Sequence, residues 1–392
     1  MTVLFFISIS FVLYTYAFYP LLLAAWGGLF PKRIVARYQQ VPVSVVLAVR
    51  NEEDHIKERI VNLLQQDYPP DLVELIVVSD GSTDRTVELA REAGNERVKI
   101  HCVKDAQGKA AAITLGVKQA SHDIIVFADA RQRFAANVLA ELTAVFCDAT
   151  VGAASGELVF MKGEGGDVRE GVSLYWRYEK FIRRMESGID SVAGVTGSIY
   201  AARKELIIPL PSHTLLDDLL IPMHIVLRGF RVVFIRSAKA YDRVSATTSG
   251  EFTRKVRTLT GNFQAIALQP ALLNPLKNRI FFQFVSHKVM RLLVPYFCLA
   301  ALISNIVLSG PYFRAVLAAQ LFFYGMMILG FTPLKRARAG GIIRIAWTFG
   351  VLNAAAVAGL FVFLLGKEKH VWKAQETSGV SGGPRSSRDN GS

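Results

Sequence analysis

Hydrophobic residues occur in two arrangements along the chain. Long apolar segments with almost no charge lie over residues 3–30, 290–308, 315–331 and 345–365. Each is close to the roughly 20 residues that a helix needs to cross the hydrocarbon core of a bilayer. Between the first and second segments, short β-branched runs alternate with amphipathic stretches. The pattern predicts a polar domain over residues 40–266, with one transmembrane helix before it and about three after it.

Basic residues follow the first apolar segment and predict its orientation. Lys32, Arg33 and Arg37 come directly after residues 1–30, and basic flanks of this kind stay in the cytoplasm. A cleaved signal peptide is the alternative, although the run is longer than a usual signal segment and no basic stretch precedes it. We therefore expect an integral protein of the bacterial inner or plasma membrane whose polar domain is cytoplasmic.

The carboxyl-terminal part, residues 289–366, leaves its topology open. Residues 275–288 carry three phenylalanines and predict an interfacial helix that leads into the second span. Four spans would leave the tail outside, yet Lys367 and the lysines after it favour the inside. Either the charge rule is weak there, or one of the last segments lies in the interface or re-enters the membrane. Residues 377–392 are rich in Gly and Ser, so we expect a disordered tail.

Composition and charge narrow the class of protein. Of the 392 residues 52% are hydrophobic, and the net charge is +13. From Pro275 onward there are 14 Lys and Arg against 3 Asp and Glu, whereas the rest of the chain is nearly balanced. Because the basic excess belongs to the membrane part, nucleic-acid binding is not predicted. The three cysteines form no CxxC pair and fit core positions in a reducing compartment.

Within the polar domain, apolar runs end at polar clusters. The runs that begin at Val43 and near Val73, together with 98–103 and 124–128, read as strands that alternate with helices, which predicts an α/β fold with a doubly wound, mostly parallel sheet. Ligands of such sheets bind outside the carboxyl ends of the strands. Four strand ends carry polar side chains that would converge at one edge: Asn51, Asp80, Lys109 and Asp129. Each residue could also serve only a turn or a helix cap, but their convergence favours a nucleotide ligand.

These motifs resemble those of the family 2 glycosyltransferases, which have the GT-A fold. The first two strands of that family end in an Asn-Glu pair and an Asp-Gly-Ser/Thr-x-Asp turn, as the chain does at Asn51-Glu52 and at Asp80 to Asp84. Gly108-Lys109 resembles the family's Gly-Lys segment. The resemblance implies that Asp80 contacts the nucleoside, that Asn51 and Glu52 frame it, and that Lys109 offsets the charge of the diphosphate.

The family's Asp-x-Asp motif holds a divalent cation, and here the chain departs from it. The strand ends in Asp129-Ala130-Arg131, so an arginine replaces the second carboxylate. Mg²⁺ and Mn²⁺ prefer oxygen ligands, and one Asp together with phosphate oxygens and water is a feasible but weaker site. We expect metal use through Asp129, with Arg131 either adding positive charge at the donor or pairing with an acidic neighbour.

The second half of the domain carries the motifs that the resemblance assigns to acceptor and catalysis. Asp217-Asp218, followed eleven residues later by Gly229, resembles the family's Glu-Asp block, which implies that Asp218 is the catalytic base and that Asp217 stands in the Glu place. The two acids could instead cap the helix that follows them. The glycine-containing segment before Arg203 resembles an acceptor loop, which implies acceptor contacts by Gly197 and Tyr200. Residues 173–187 predict an amphipathic helix whose aromatic stripe is either core or a sugar platform.

A last block resembles the Gln-x-x-Arg-Trp region of membrane polysaccharide synthases. Arg257 matches the diphosphate-binding arginine, Arg254 stands in the Gln place on the donor side, and Thr258 replaces Trp. A basic patch on anionic lipid is the alternative. The whole set resembles synthases of the cellulose, hyaluronan and poly-N-acetylglucosamine type. It implies an inverting hexosyl or N-acetylhexosaminyl transferase that uses a UDP-sugar and a glycan acceptor in extracellular or capsular polysaccharide synthesis; any export partner stays unknown.

Two departures from the family pattern leave alternatives open. The missing Gln and Trp weaken the expectation of a long-chain product, so a non-processive transferase to a lipid-linked acceptor remains possible. Arg131 leaves room for a non-catalytic membrane protein that binds a nucleotide.

Overall fold

The computed structural model describes residues 1–161, 169–243, 248–332 and 341–367. The predicted tail over 377–392 lies outside these residues, as does the basic segment between the third and fourth apolar helices. The polar domain contains eight strands: β1 Val43–Val49, β2 Val73–Asp80, β3 Val98–Val103, β4 Ile124–Ala128, β5 Arg133–Phe134, β6 Val151–Met161, β7 Ile199–Arg203 and β8 Arg231–Arg243.

Eleven principal helices lie in the described residues. Seven belong to the polar domain or precede it: α1 Thr2–Leu29, α2 Ile56–Leu64, α3 Thr86–Ala93, α4 Lys109–Gln119, α5 Val138–Thr143, α6 Arg169–Ile189 and α7 Asp217–Leu227. Four follow the last strand: α8 Thr248–Leu268, α9 Phe281–Val307, α10 Pro311–Leu329 and α11 Gly341–Leu364.

The strands form one mixed sheet in the order β3-β2-β1-β4-β7-β6-β8-β5. Strands β1 to β4 are parallel to one another, and β7 runs antiparallel to both β4 and β6. Strand β8 is parallel to β6, while the short β5 is antiparallel to β8. The predicted α/β fold with a mostly parallel first half is confirmed.

Helices cover both faces of the sheet, which explains the continuous apolar runs of β1 and β2. Every residue of β2 is buried, and six of the seven residues of β1 are. Helices α4 and α7 pack on one face, and α2, α3 and α5 pack on the other. A Cβ at Gly116 of α4 would lie 2.5 Å from Val46 Cγ1, so glycine permits the close approach of α4 to β1. Burying one leucine such as Leu47 contributes about 1.5–3 kcal/mol to stability.

Four helices among the described residues, α1, α9, α10 and α11, are long and apolar enough to cross a membrane. The predicted interfacial helix differs from the structure, because residues 275–280 form turns and the helix begins at Phe281, continuous with the span. Asn278 explains the late start: its side-chain amide donates to Leu272 O at 2.8 Å, and its Oδ1 accepts from Ile280 N at 3.1 Å. These bonds hold a turn immediately before the helix.

Helix α6 joins the polar domain to the spans. Tyr19 of α1 donates its hydroxyl to Glu186 Oε1 at 2.6 Å, and Tyr178 of α6 donates to Tyr16 O at 3.0 Å. The predicted amphipathic helix over 173–187 is therefore confirmed, and part of its polar face is buried against the membrane helices. This contact holds the second half of the domain next to α1.

Candidate functional site

The ends of β1 and β2 are fastened to each other by short polar contacts. Asn51 has a left-handed backbone with φ 51, which asparagine tolerates better than most residues, and its Oδ1 accepts from Thr83 N at 2.8 Å. Glu53 N donates to Asp84 Oδ2 at 3.2 Å. The Asn-Glu segment and the Asp-Gly-Ser-Thr-Asp turn thus form one rim at the edge of the sheet.

Asp80 is buried and positions the loop that precedes α4. Its two carboxylate oxygens accept from Gln107 N at 2.7 Å and from Gly108 N at 2.8 Å. Gly81 follows with φ +64, and a Cβ there would lie 2.8 Å from Ala106 N. Because the carboxylate already binds two amides, it orients the loop of Lys109 in this structure. The nucleoside contact expected of Asp80 stays a prediction.

Lys109, at the start of α4, lies between two carboxylates from distant parts of the chain. Its Nζ is 2.8 Å from Asp129 Oδ1, at the end of β4, and 3.8 Å from Asp217 Oδ1, at the start of α7. Burial disfavours the ammonium form, but Asp129 and Asp217 outweigh it and raise the pKa of Lys109. The lysine therefore remains a cation at the centre of the site.

The adjacent acids of α7 have different surroundings. Asp217 is buried, and its Oδ2 has no hydrogen-bond partner in the described part of the chain. Burial raises the pKa of Asp217 to about 6; Lys109 opposes this effect and Asp218 adds to it. Asp218 is half-buried, and a Cβ at Gly197 would lie 3.1 Å from its Oδ2. Glycine at 197 thus lets the predicted acceptor loop lie directly against Asp218.

Helix α8 brings Arg257 to the same carboxylates. Its Nη2 donates to Leu215 O at 3.3 Å. Burial lowers the pKa of Arg257, whereas Asp217, Asp218 and Asp129 oppose the shift. Arg254 lies on an exposed part of the same helix. The structure thus places Arg257 in the cluster and Arg254 at its outer side.

The structure also gives the surroundings of two further predicted residues, Tyr200 and Arg131. Tyr200 is fully buried in β7 with its ring stacked on Phe127 at 4.3 Å, so its side chain lies beneath the carboxylates and has no open surface in this structure. Burial raises the pKa of Tyr200, and Asp217 reinforces the shift. Arg131 donates its Nε to Glu52 Oε1 at 3.0 Å, so it pairs with an acidic neighbour, one of the two roles expected of it.

The described side chains supply only part of the ligand shell that a divalent cation needs. In the described ranges no three Asp, Glu, His or Cys side chains lie in a metal-binding arrangement. Asp129 Oδ1 faces the Lys109 ammonium, and Asp217 Oδ2 is the buried carboxylate oxygen left without a hydrogen bond. These carboxylates fit Mg²⁺ or Mn²⁺ when phosphate oxygens of a ligand complete the shell.

The sequence interpretation missed Lys288 and Arg183, which border the site on its membrane side. A Cβ at Gly194 would lie 3.8 Å from Lys288 Nζ and 3.6 Å from Asp218 O. Arg183 donates to Thr196 Oγ1 at 2.7 Å, next to Gly197. In the sequence, Lys288 stands at the start of an apolar span. A lysine there more often marks the membrane boundary than a binding site.

Comparisons with known proteins agree with this geometry. Residues 44–208 match the model of glycosyl transferase family 2. An uncharacterized glycosyltransferase of Haemophilus influenzae is 35% identical over 89 residues, which are 22% of this chain and 35% of that protein. The poly-beta-1,6-N-acetyl-D-glucosamine synthase of Staphylococcus aureus is 23% identical over 238 residues, 57% of this chain and 55% of that enzyme. The matches thus span between a third and about half of these relatives.

A solved structure is similar over nearly the whole chain. The mannosyltransferase PcManGT from Pyrobaculum calidifontis, solved in complex with GDP-Man and Mn²⁺, superposes with a TM-score of 0.72 and 21% identity, covering 93% of this chain and 99% of that one. At that identity the likeness shows the fold, which is GT-A. The described chain is therefore similar to glycosyl transferase family 2 over residues 44–208, and it combines a GT-A sheet with four apolar helices.

Proposed function

We propose that the protein is an inverting glycosyltransferase at the cytoplasmic face of a bacterial membrane, which moves a sugar from a nucleotide donor to an acceptor hydroxyl. The observation that carries the proposal is the cluster of Lys109, Asp129, Asp217 and Asp218, with Lys109 Nζ 2.8 Å from Asp129 Oδ1 and 3.8 Å from Asp217 Oδ1. Three separate segments place these charges at one sheet edge. Among them, Asp217 Oδ2 is buried and has no hydrogen-bond partner in the described residues, so it is available to a ligand.

The donor would lie along the edge formed by β1, β2 and β4. The rim of Asn51 and the loop held by Asp80 would receive the nucleoside. Lys109 and Arg257 would face the diphosphate, because Lys109 Nζ lies 2.8 Å from Asp129 Oδ1 and the charge of Asp129 acts on Arg257. Arg254, farther out on α8, would add positive charge at the donor entrance. A UDP-sugar would be the donor, which is what the resemblance to cellulose, hyaluronan and poly-N-acetylglucosamine synthases implies.

Asp218 would act as the base in a single displacement. The acceptor oxygen forms a bond to C1 of the sugar from the face opposite the diphosphate, while the bond from C1 to the diphosphate oxygen breaks. The hydroxyl proton passes to Asp218, and the nucleoside diphosphate leaves with the bonding electrons. Gly197 lets the loop that would receive the acceptor lie directly against Asp218. Asp217 would hold Lys109 in place, and Tyr200 would support the carboxylates from below.

Asp129 would hold a divalent cation together with the donor's phosphate oxygens. Mg²⁺ or Mn²⁺ bound there would offset the charge that develops on the leaving diphosphate. Lys109 supplies positive charge at the same carboxylate, while Arg131 is held away from Asp129 by its ion pair with Glu52. Full transfer activity after exhaustive chelation would contradict the metal assignment.

The test is transfer by the purified protein in nanodiscs, with a panel of radiolabelled nucleotide sugars and glycan or lipid-linked acceptors. We expect one donor to be used, and we expect Asp218→Asn to lower kcat by about 10² to 10⁴-fold. Glu205→Gln, an exposed carboxylate elsewhere in the domain, is the matched control and should keep full activity.

Product size decides between the two kinds of transferase. A ladder of products supports a polysaccharide synthase, whereas a single short product supports a non-processive enzyme. Binding of UDP with no transfer from any donor, and no effect of Asp218→Asn in cells, would overturn the enzymatic proposal in favour of a nucleotide-binding protein.

A further inference from the structure

A buried network of charges joins α6 to the cytoplasmic start of α9. The Nδ1 of His287 lies 2.8 Å from Glu186 Oε1, and its Nε2 lies 3.1 Å from Glu179 Oε2. Arg291 donates to Glu179, and Tyr19 donates to Glu186. Glu179 and Glu186 therefore each already have cationic or hydrogen-bonding partners within the network.

His287 lies between two carboxylates. Both of its ring nitrogens face carboxylate oxygens, and a neutral imidazole has only one N–H to donate. Burial opposes the ionised form of Glu179, but Arg291 and His287 prevail and hold its pKa well below the usual range. His287 and Arg291 thus balance the two glutamates of the network.

Two more cations lie beside the network without a carboxylate of their own. Neither Lys288 nor Arg183 forms an ion pair with any carboxylate of the described residues, and Arg183 donates only to Thr196 Oγ1. Lys288 is close enough to Arg183, Glu179 and Glu186 to be affected by their charges, although it forms an ion pair with neither glutamate. Nearby Lys180 is already paired with Glu157 at 2.6 Å. The cluster therefore has an excess of positive charge in a partly buried place, where isolated charges are costly.

The position of this excess charge points to the acceptor. Gly194, with φ +113, lies close to both groups: a Cβ there would be 3.8 Å from Lys288 Nζ, 3.6 Å from Asp218 O and 3.3 Å from Leu219 Cδ1. Arg183 reaches Thr196 in the same loop, and Gly197 lies against the Asp218 side chain. Lys109, assigned to the donor diphosphate, lies 3.8 Å from Asp217, the other acid of α7. The unpaired cations thus border the proposed base at the membrane end of the catalytic domain.

We propose that Lys288 and Arg183 bind a phosphate group on the acceptor and hold its hydroxyl next to Asp218. This inference rests on the proposed function and names its acceptor class: a molecule that carries both a phosphate and the accepting hydroxyl. The phosphate itself does not react. The two cations differ in their role, since Arg183 is anchored by Thr196 and Lys288 is the more adaptable point charge.

The test measures binding to the purified full chain in nanodiscs of neutral lipid. The probes are farnesyl monophosphate, its neutral analogue farnesol, inorganic phosphate and UDP. We expect farnesyl monophosphate or inorganic phosphate to bind, the former at least ten times more tightly than farnesol. Binding of the farnesyl compound alone indicates a lipid source for the phosphate, whereas equal binding of inorganic phosphate indicates a soluble source.

Matched variants assign the binding to the two cations. Lys288→Gln and Arg183→Gln should each weaken phosphate binding at least tenfold and leave UDP affinity unchanged. Lys277→Gln and Arg184→Gln, which remove exposed cations nearby, should leave both affinities unchanged. Lys288→Arg should restore most of the binding, and retained UDP affinity in each variant shows that the protein is folded.

Three outcomes would overturn the inference: equal affinity for farnesyl monophosphate and farnesol without phosphate binding, competition between UDP and the phosphate probes, or equal loss in the control variants. Failure of the proposed function is distinguishable from these. In that case no nucleotide sugar is consumed by the wild-type protein, whatever the binding experiments give.

Discussion

At the scale of single residues, the charge state of Asp217 is the feature most open to measurement. Its carboxylate is buried beside Asp218 and faces Lys109, and burial raises its pKa to about 6. Below that pH the protonated acid no longer balances Lys109. The activity should therefore change within the pH range of an ordinary assay, whereas an ordinary exposed aspartate titrates at about pH 4.

We expect the rate of sugar transfer to rise with pH through about 6 and then level off, because the site needs ionised Asp217. In Asp217→Asn this acid limb should move to lower pH or disappear, with an overall loss of about 10²-fold. Initial rates between about pH 5 and 8 provide the measurement. Asp71→Asn, on an exposed residue, should keep the wild-type profile. An unchanged limb in Asp217→Asn would assign the titration to another group.

Lys109 is the second residue for which the structure supports a specific prediction. Lys109→Ala leaves Asp129 and Asp217 without their shared cation. We expect a loss of about 1–3 kcal/mol in the free energy of unfolding and a marked fall in donor affinity. Lys118→Ala, on an exposed position of the same helix, should change neither quantity. Equal effects of the two substitutions on UDP binding would exclude a specific role for Lys109.

At the scale of elements, the turn between β2 and α3 depends on a backbone that few residues can adopt. Gly81→Ala would place a Cβ 2.8 Å from Ala106 N in a left-handed conformation. The conformation alone costs about 1–2 kcal/mol, and the contact adds to it. We expect a lower melting temperature and weaker UDP binding. Gly188→Ala, in α6 where a Cβ has open space, should be neutral or stabilising.

The opposite end of the sheet carries a network that stabilises the fold without serving the site. Glu74 of β2 accepts hydrogen bonds from Ser44 of β1, from Lys99 of β3 at 2.7 Å, and from Ser121 N ahead of β4 at 2.5 Å. Burial would raise the pKa of Glu74, but these bonds lower it to about 2. Its stabilisation is therefore present above the usual carboxyl pKa and is lost as the pH falls toward 2.

Glu74→Gln should lower the free energy of unfolding by about 1–3 kcal/mol at neutral pH. The difference from the wild type should shrink as the pH falls from about 4 toward 2, because the unfolded chain takes up a proton at Glu74 while the native carboxylate stays ionised. Denaturant titrations across pH measure this. Turnover per folded molecule should stay at the wild-type value, and a specific loss of kcat would contradict the separation of the two ends of the sheet.

At the scale of the whole molecule, the testable question is which side of the membrane carries the catalytic domain. Cys102 is exposed on β3, whereas Cys298 lies within α9. A membrane-impermeant maleimide should label the protein in inside-out vesicles and not in intact spheroplasts, if the domain is cytoplasmic. Cys102→Ser should remove most of the label in the vesicles. Strong labelling of spheroplasts through Cys102 would reverse the orientation.

Much of the architecture was readable from local patterns. The predicted strands over 98–103 and 124–128 are confirmed, because short continuous apolar runs that end at polar clusters are a local signal. The four apolar spans were equally evident from the length and hydrophobicity of their segments. The interfacial helix was placed too early, since the turn held by Asn278 depends on contacts with Leu272 and Ile280 that composition does not show.

The sequence by itself determined the α/β domain, its polar strand ends and the flanking membrane helices, because periodicity and hydropathy are local properties. Only the tertiary structure decided which charges meet. It paired Lys109 with Asp129 and Asp217, tied Arg131 to Glu52, and buried Tyr200 beneath the carboxylates. It also left Lys288 and Arg183 without a carboxylate among the described residues. Such pairings join distant segments, and they arise from the folding of the sheet and its docking on the membrane helices.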